Sequence, residues 1–303
     1  MDLKIDCPIC SGAGKPIRQR NLMTPTKLYM ICKKCKSFFA SEKATKRELI
    51  TYYASYYSEE NLDIPIVVKN SLTKTVSTFS KFRTSNNSIC DIGFGAGALL
   101  DAAQADGWNC FGSEFSAGAI AIGQSKGWGV HYGDLTSKDL RGPYDVVTII
   151  ETLEHVQDPK ELLLGAAARL RRGGLLYGTT PNAGSINALI LKQEWSVITF
   201  PEHPILISKK ALNRLLIHAG FKDISIKSRG VNPYDLISKF KYMRNSTRAC
   251  KSNQLNLTRV DFGYKLNSTF SKNFCMRMLK SVIMAFLGRA NIGDTLVFTA
   301  IKI

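Results

Sequence analysis

Apolar and polar positions along the middle of this chain follow two different periods. Short, largely apolar runs at 88–92, 108–114, 144–150 and 175–180 read as strands, and the run at 144–150 is apolar enough to be buried on both faces. Between them, apolar residues recur three and four apart. In 160–171 the residues Leu162, Leu163, Ala166, Ala167 and Leu170 mark one helical face, and Gly173-Gly174 is expected to end that helix. Helical patterns also follow the glycines at 98–103 and cover 116–126 and 208–219, the last between a Ser208 cap and a Gly220 stop. Further strands fall at 224–228 and from Thr295 onward. Strands alternating with helices predict an α/β fold with a doubly wound sheet. In such sheets ligands bind beyond the carboxyl ends of the strands.

The residues at those ends carry the chemistry. The first strand runs into Gly93-Phe94-Gly95-Ala96-Gly97 and then into a helix, the context that gives a glycine run meaning. Glycines let a ligand approach the backbone closely. Asp91 sits just before them, where a carboxylate would repel a pyrophosphate and suits a cationic ligand with an ammonium or sulfonium group. The next strand ends in Glu114, 23 residues on, placed to hold both hydroxyls of a ribose. Asp134 suits an adenine amine. The strand at 144–150 runs into Glu151-Thr-Leu-Glu154-His155-Val-Gln-Asp158-Pro159.

Together these motifs, with Gly133-Asp134-Leu135, Asp145-Val-Val, Gly173-Gly174, Thr180-Pro181-Asn182 and Ala219-Gly220-Phe221, resemble the class I S-adenosylmethionine-dependent methyltransferases over 89–303. The resemblance implies a Rossmann-like sheet of seven strands and an S-adenosylmethionine site. Asp91 and the turn at Gly93, Phe94, Gly95 and Gly97 would face the methionine, Glu114 the ribose, and Asp134 and Leu135 the adenine. Phe115 and Glu151 complete the cofactor-binding set. His155 is the candidate base for an accepting hydroxyl, with Glu154 orienting it or taking part directly. Ubiquinone-type O-methyltransferases and small-RNA 2′-O-methyltransferases carry a similar Glu-x-x-Glu-His motif with a metal. On that resemblance Glu151, Glu154, His155 and His203 form a candidate divalent-metal site. Relatives carry the same motif with no metal, so the metal is not the favoured reading, and a His–Glu pair that only shapes the pocket is the alternative to the base. His203 is expected to line the acceptor pocket or to be structural.

The N-terminal segment is of a different kind. Cys7-Pro-Ile-Cys10 and Cys32-Lys-Lys-Cys35 are two Cys-x-x-Cys knuckles separated by 21 residues, the layout of a Zn(Cys)₄ ribbon. A closed four-thiolate site is structural. About forty residues bury little core, so zinc is expected to supply most of the ribbon's folding energy, roughly 10–16 kcal/mol. Three regions are expected: a ribbon at 1–45, a tyrosine-rich helical connector or lid at 46–87, and a methyltransferase domain at 88–303. The last carries a basic helical insertion at about 231–293, with an amphipathic helix at 274–287. The ribbon, the tyrosines and the ending Gly293-Asp294-Thr-Leu-Val-Phe-Thr-Ala-Ile resemble the bacterial zinc-ribbon methyltransferases, many of which modify sugars and polysaccharides.

Composition narrows the partners. Hydrophobic residues at 45% and charged residues at 21% fit a globular protein, and no apolar run reaches the ~18 residues of a membrane span. Residues 1–6 are charged, unlike a secretory signal, so a cytoplasmic location is expected. The net charge of +17 points to an anionic partner. A small-molecule or glycan acceptor comes first. RNA ranks lower for want of an RNA-domain signature, and a non-catalytic binding protein lower again, given the intact glycine and acid positions. Membrane-surface contact by the insertion stays open.

Overall fold

The structure is a computed structural model, which describes residues 5–17, 29–45, 47–49, 52, 64–133, 142–232 and 291–303. Asp134, Leu135, the tyrosine-rich segment apart from Tyr52, and the helix expected at 274–287 lie outside the described residues.

A small sheet opens the chain with β1 (Gly14–Pro16), β2 (Tyr29–Cys32) and β3 (Phe38–Ala40). The main sheet is built from β4 (Ser88–Ile92), β5 (Asn109–Glu114), β6 (Gly129–Tyr132), β7 (Tyr144–Ile150) and β8 (Leu170–Pro181). After a two-residue strand β9 (Ile205–Leu206), it is completed by β10 (Phe221–Arg229) and β11 (Thr295–Lys302). Its seven strands run in the order β10-β11-β8-β7-β4-β5-β6, and β11 lies antiparallel to both its neighbours. The pleat sends alternate side chains into two cores. Ile89 and Val146 join Val76 of α1 (Ile66–Ser77), Leu99 and Leu100 of α2 (Ala98–Ala105), and Trp128 in the turn between α3 (Ala117–Ser125) and β6. Cys90 and Val147 join Leu163 and Ala166 of α4 (Pro159–Arg169) and, beyond the short α5 (Ile186–Leu191), Leu212 and Leu215 of α6 (Lys209–His218). This is the α/β architecture the sequence implies.

Local chemistry sets the helix starts. Ser116, Asp158 and Ser208 each accept a backbone N–H from the first turn of the helix they precede. Asp158 is thus a cap. One boundary differs from expectation: α4 ends at Arg169, and Gly173-Gly174 lie inside β8. The register of β7 on β8 slips between Tyr144↔Leu170 and Val146↔Leu175. Arg171, in the extra residues, bonds the Asp145 carboxylate at 2.6 Å and the Phe82 carbonyl at 2.7 Å. Those bonds pull the chain out of the helix early, and Gly173, at φ 72°, lets it re-enter the strand.

The small sheet is not self-contained. Its order is β1-β2-β3-β9, so its last strand comes from the chain between α5 and α6. Cys7, Met30, Cys32, Cys35 and Phe39 pack in one cluster with Leu153, Ile205, Ile207 and Ala211. The ribbon thus borrows both a strand and a core from the rest of the chain, beside the metal expected to stabilise it.

Candidate active site

The carboxyl ends of β4, β5 and β7 converge on one cleft. Beyond β4 the chain turns through Gly93, Gly95 and Gly97, all at positive φ. At Gly97 a Cβ would come within 2.5 Å of the Trp128 ring, so only glycine fits that close approach. The Phe94 ring, named above with the turn, points instead into the core, edge-on to Trp128 at 6.0 Å. What Phe94 leaves to the turn is its backbone.

Glu114 ends β5 and is 9% exposed. Its carboxylate accepts backbone N–H groups from Gly95 at 3.0 Å, Phe115 at 2.7 Å and Ser116 at 3.3 Å. The acid is thereby fixed against the glycine turn. Beside it Phe115 and Tyr132 stand edge to face at 6.3 Å, 61% and 62% exposed. Two exposed aromatics at a strand-end cleft offer apolar walls to a planar ring. Tyr132 carried no motif in the sequence.

Asp91 is buried and accepts the Thr148 hydroxyl at 2.6 Å. Burial pushes its carboxyl up to about 7; the Thr148 bond works against this and the nearby Glu114 charge adds to it. A cation laid against Asp91 would favour its ionised form.

The turn after β7 assembles the second half. Glu151 holds a left-handed backbone, φ 48°, and burial of its carboxyl, opposed by bonds to Thr179 and Glu154, raises it above the ordinary range. Glu154 is 1% exposed and accepts the Thr180 hydroxyl at 2.9 Å. Burial first, and the Glu151 charge second, hold its carboxyl well above the ordinary carboxylate range. The His155 and His203 rings meet at 4.7 Å, inclined by 62°. Burial, then the proximity of His203, lowers His155 to about 4, against opposing contributions from Glu202 and the Glu151 and Glu202 backbones. His155 is therefore an uncharged imidazole at neutral pH, able to accept a proton. The Nδ1 of His203 lies 2.7 Å from the Val197 carbonyl and 3.0 Å from the Thr199 hydroxyl. A carbonyl only accepts, so Nδ1 carries a proton and Nε2 is left as the ligand nitrogen. Burial opposes the charge on Glu202, yet His203, Tyr52, Thr199 and His155 outweigh it and keep that carboxyl below its usual value.

Three of the four residues considered for a divalent metal come together: ligand atoms of Glu154, His155 and His203 lie within 4.8 Å of one another. Glu151 stands next to this group through a side-chain contact with Glu154. Away from the cleft, the sulfurs of Cys7, Cys10, Cys32 and Cys35 also lie within 4.8 Å, with Cys7–Cys35 at 3.7 Å and Cys10–Cys32 at 3.4 Å. Thiolates bound tetrahedrally at ~2.3 Å stand about 3.8 Å apart, so the set fits zinc. The Lys34 and Cys35 N–H groups point at Cys32 Sγ, each at 3.3 Å, as a charged sulfur requires. Asp145, quoted among the sequence motifs, lies at the opposite end of β7, where it binds Arg171 and Thr84.

A glycine turn, an acid at the end of the second strand and a seven-stranded sheet with one reversed strand define a class I S-adenosylmethionine-dependent methyltransferase. Residues 67–226 match the model of the methyltransferase domain family, more than half of the chain, and the chain belongs to that family. The ubiquinone biosynthesis O-methyltransferase of Chromobacterium violaceum is 24% identical over 159 residues, 48% of this chain and 68% of that protein. The protein of that name from Pseudomonas savastanoi pv. phaseolicola is 30% identical over 102 residues, 31% of this chain and 44% of its own. Among solved structures, a SAM-dependent methyltransferase from Archaeoglobus fulgidus is similar with a TM-score of 0.49 and 19% identity. It covers 77% of this chain and 94% of its own.

Proposed function

We propose that this methyltransferase acts on a hydroxyl group of an anionic small molecule, a sugar or glycan precursor, with His155 as the base. The observation that carries the reading is the uncharged imidazole of His155, set against His203 beyond the end of β7. Methyl transfer to oxygen needs the hydroxyl proton removed as the new bond forms, and a half-buried neutral imidazole does this. Bound S-adenosylmethionine supplies the electrophilic methyl. Asp91 and the turn at 93–97 hold its methionine portion, Glu114 its ribose, and Phe115 with Tyr132 flank its adenine. Glu154, braced by Thr180 and with its carboxyl held well above the ordinary range, orients His155. The relatives named O-methyltransferases support oxygen as the acceptor atom, and the net charge of +17 supports an anionic acceptor. The cysteine tetrad holds a structural zinc.

A second reading has its own observation, the cluster of Glu154, His155 and His203. A divalent cation there, with Glu151 alongside, would favour the charged form of Glu154 and polarise a pair of adjacent hydroxyls, such as those of a catechol. One assay separates the two: transfer of labelled methyl to nucleotide-sugars and to dihydroxyphenols, with and without added Mg²⁺. Transfer to a nucleotide-sugar without Mg²⁺, lost in His155→Ala, is the expected result. Mg²⁺-dependent transfer to the phenols alone would replace it with the second reading.

A further inference from the structure

The cysteine-rich sheet reaches the cleft through one segment. From His203 to Ser208 the chain is bonded to the ribbon along its length. The Tyr29 hydroxyl, on β2, lies 2.8 Å from the His203 carbonyl and 3.0 Å from that of Thr199. The Ala40 N–H donates to the Pro204 carbonyl at 2.9 Å, and β3 pairs with β9 at Phe38↔Leu206 and Phe39↔Ile205. The Ser208 N–H donates to Ser37 Oγ at 3.0 Å, and its hydroxyl donates to the carbonyl of Cys35, one of the four cysteines. On its other side the segment meets the end of β8, where the Ala183 N–H donates to the Ile207 carbonyl. It is a crossbeam between the ribbon and the main sheet, and His203 stands at its upstream end, facing His155.

We infer that Tyr29 is a positioning residue for His203, so that the ribbon forms part of the acceptor side of the active site. Tyr29 is 4% exposed, and its hydroxyl bridges the two ends of the turn at 199–203. That turn also supplies the Thr199 hydroxyl, and the residue two before it the Val197 carbonyl, that fix the His203 ring. One phenol therefore sets both the backbone and, through it, the ring. The phenol shares its one proton between the two carbonyls, and that of Thr199 also accepts the His203 N–H at 2.8 Å, so removing the hydroxyl takes a buried donor from both ends of the turn and loosens its hold on His203. The inference builds on the reading that His203 belongs to the acceptor site, but its geometric part is testable without the acceptor.

The test is imidazole NMR of the S-adenosylhomocysteine complex, wild type against Tyr29→Phe, with zinc content and melting temperature measured on both. The groups facing His155 are His203, Glu202, Glu151 and Glu154. In the wild type the His155 and His203 rings meet at 4.7 Å, so each ring's signals report the position of the other. In Tyr29→Phe the ring signals of His203 and of His155 should both shift, and the through-space contacts between the two rings should weaken. Zinc content and affinity for S-adenosylhomocysteine should be unchanged. Identical histidine ring shifts and inter-ring contacts in the two proteins would overturn the inference. So would the absence, in the wild type, of a through-space contact between the Tyr29 ring and the His203 amide, a measurement that needs no variant. Turnover separates the underlying reading. If His203→Ala works as well as wild type, His203 has no part in the reaction, whatever the NMR shows. If His203→Ala is slow while Tyr29→Phe matches wild type in kcat, the positioning role alone fails. With both intact, Tyr29→Phe should lose roughly tenfold to a hundredfold in kcat, the scale of a misplaced active-site group.

Discussion

Asp91 combines a fold role with a ligand role, and its pH behaviour reports on both. Its carboxyl rises from 3.8 to about 7 on burial, so the folded protein binds a proton that the unfolded chain releases. The stability this contributes is complete below about pH 4, declines as pH rises, and is gone above about 7. Thermal unfolding of the ligand-free protein should therefore show a loss between those limits that is missing in Asp91→Asn. Binding a cationic ammonium should ionise Asp91. Titrations of S-adenosylhomocysteine near pH 7, in buffers of different ionisation enthalpy, should accordingly register a released proton in the wild type and none in Asp91→Asn. His155 has the opposite sign. Lowered to about 4, it contributes stability above about 6.5 that is lost as pH falls through 4. At this scale the sequence was most legible where an acid or histidine follows an apolar strand, as at Asp91, Glu114, Glu154 and His155. Thr148 and Thr180, whose hydroxyls brace two of those acids, read as ordinary strand residues because their partners are 57 and 26 residues away. Asp158 and Asp145 sat in the motifs yet serve as a helix cap and an ion-pair anchor.

Among the elements, the turn from β4 into α2 is the least tolerant of change. Gly97→Ala adds a left-handed strain at φ 77° and a clash with Trp128 at 2.5 Å. The expected outcome is a loss of about 1–3 kcal/mol in unfolding free energy, with weaker S-adenosylhomocysteine binding, read by denaturant titration and calorimetry. Gly107→Ala is the control, since its φ of 84° gives the same strain with no neighbour within 4 Å. The ribbon is predicted to unfold together with the main fold. Because Cys7, Cys32 and Cys35 share a core with Leu153 and Ile207, a Cys32→Ser variant should lower the main unfolding transition as well as its zinc content. A separate early transition, with the main one unmoved, would show an independent module. β9 escaped the sequence pattern because two residues carry no period, and its register comes entirely from β3. The end of α4 was misplaced for a related reason. The Arg171 bonds to Asp145 and Phe82 that break it join residues 26 and 89 apart.

In the whole molecule, two supports meet at one cleft. The parallel strands deliver the glycine turn, Glu114 and Asp91 on one side, and the ribbon-tied segment delivers His203 to His155 on the other. The first support follows from alternating strands and helices and was readable from them. The second depends on a contact between residues about 170 apart, which no local pattern reveals. No helix among the described residues is long and apolar enough to cross a membrane. The measurement that bears most directly on this arrangement is calorimetric titration of S-adenosylhomocysteine into the zinc-loaded wild type and Glu114→Ala. Micromolar binding that weakens by about 1–3 kcal/mol in the variant is the predicted result. Absence of binding by the folded wild type, or equal binding by the variant, would contradict the placement of the cofactor against Glu114 and the glycine turn.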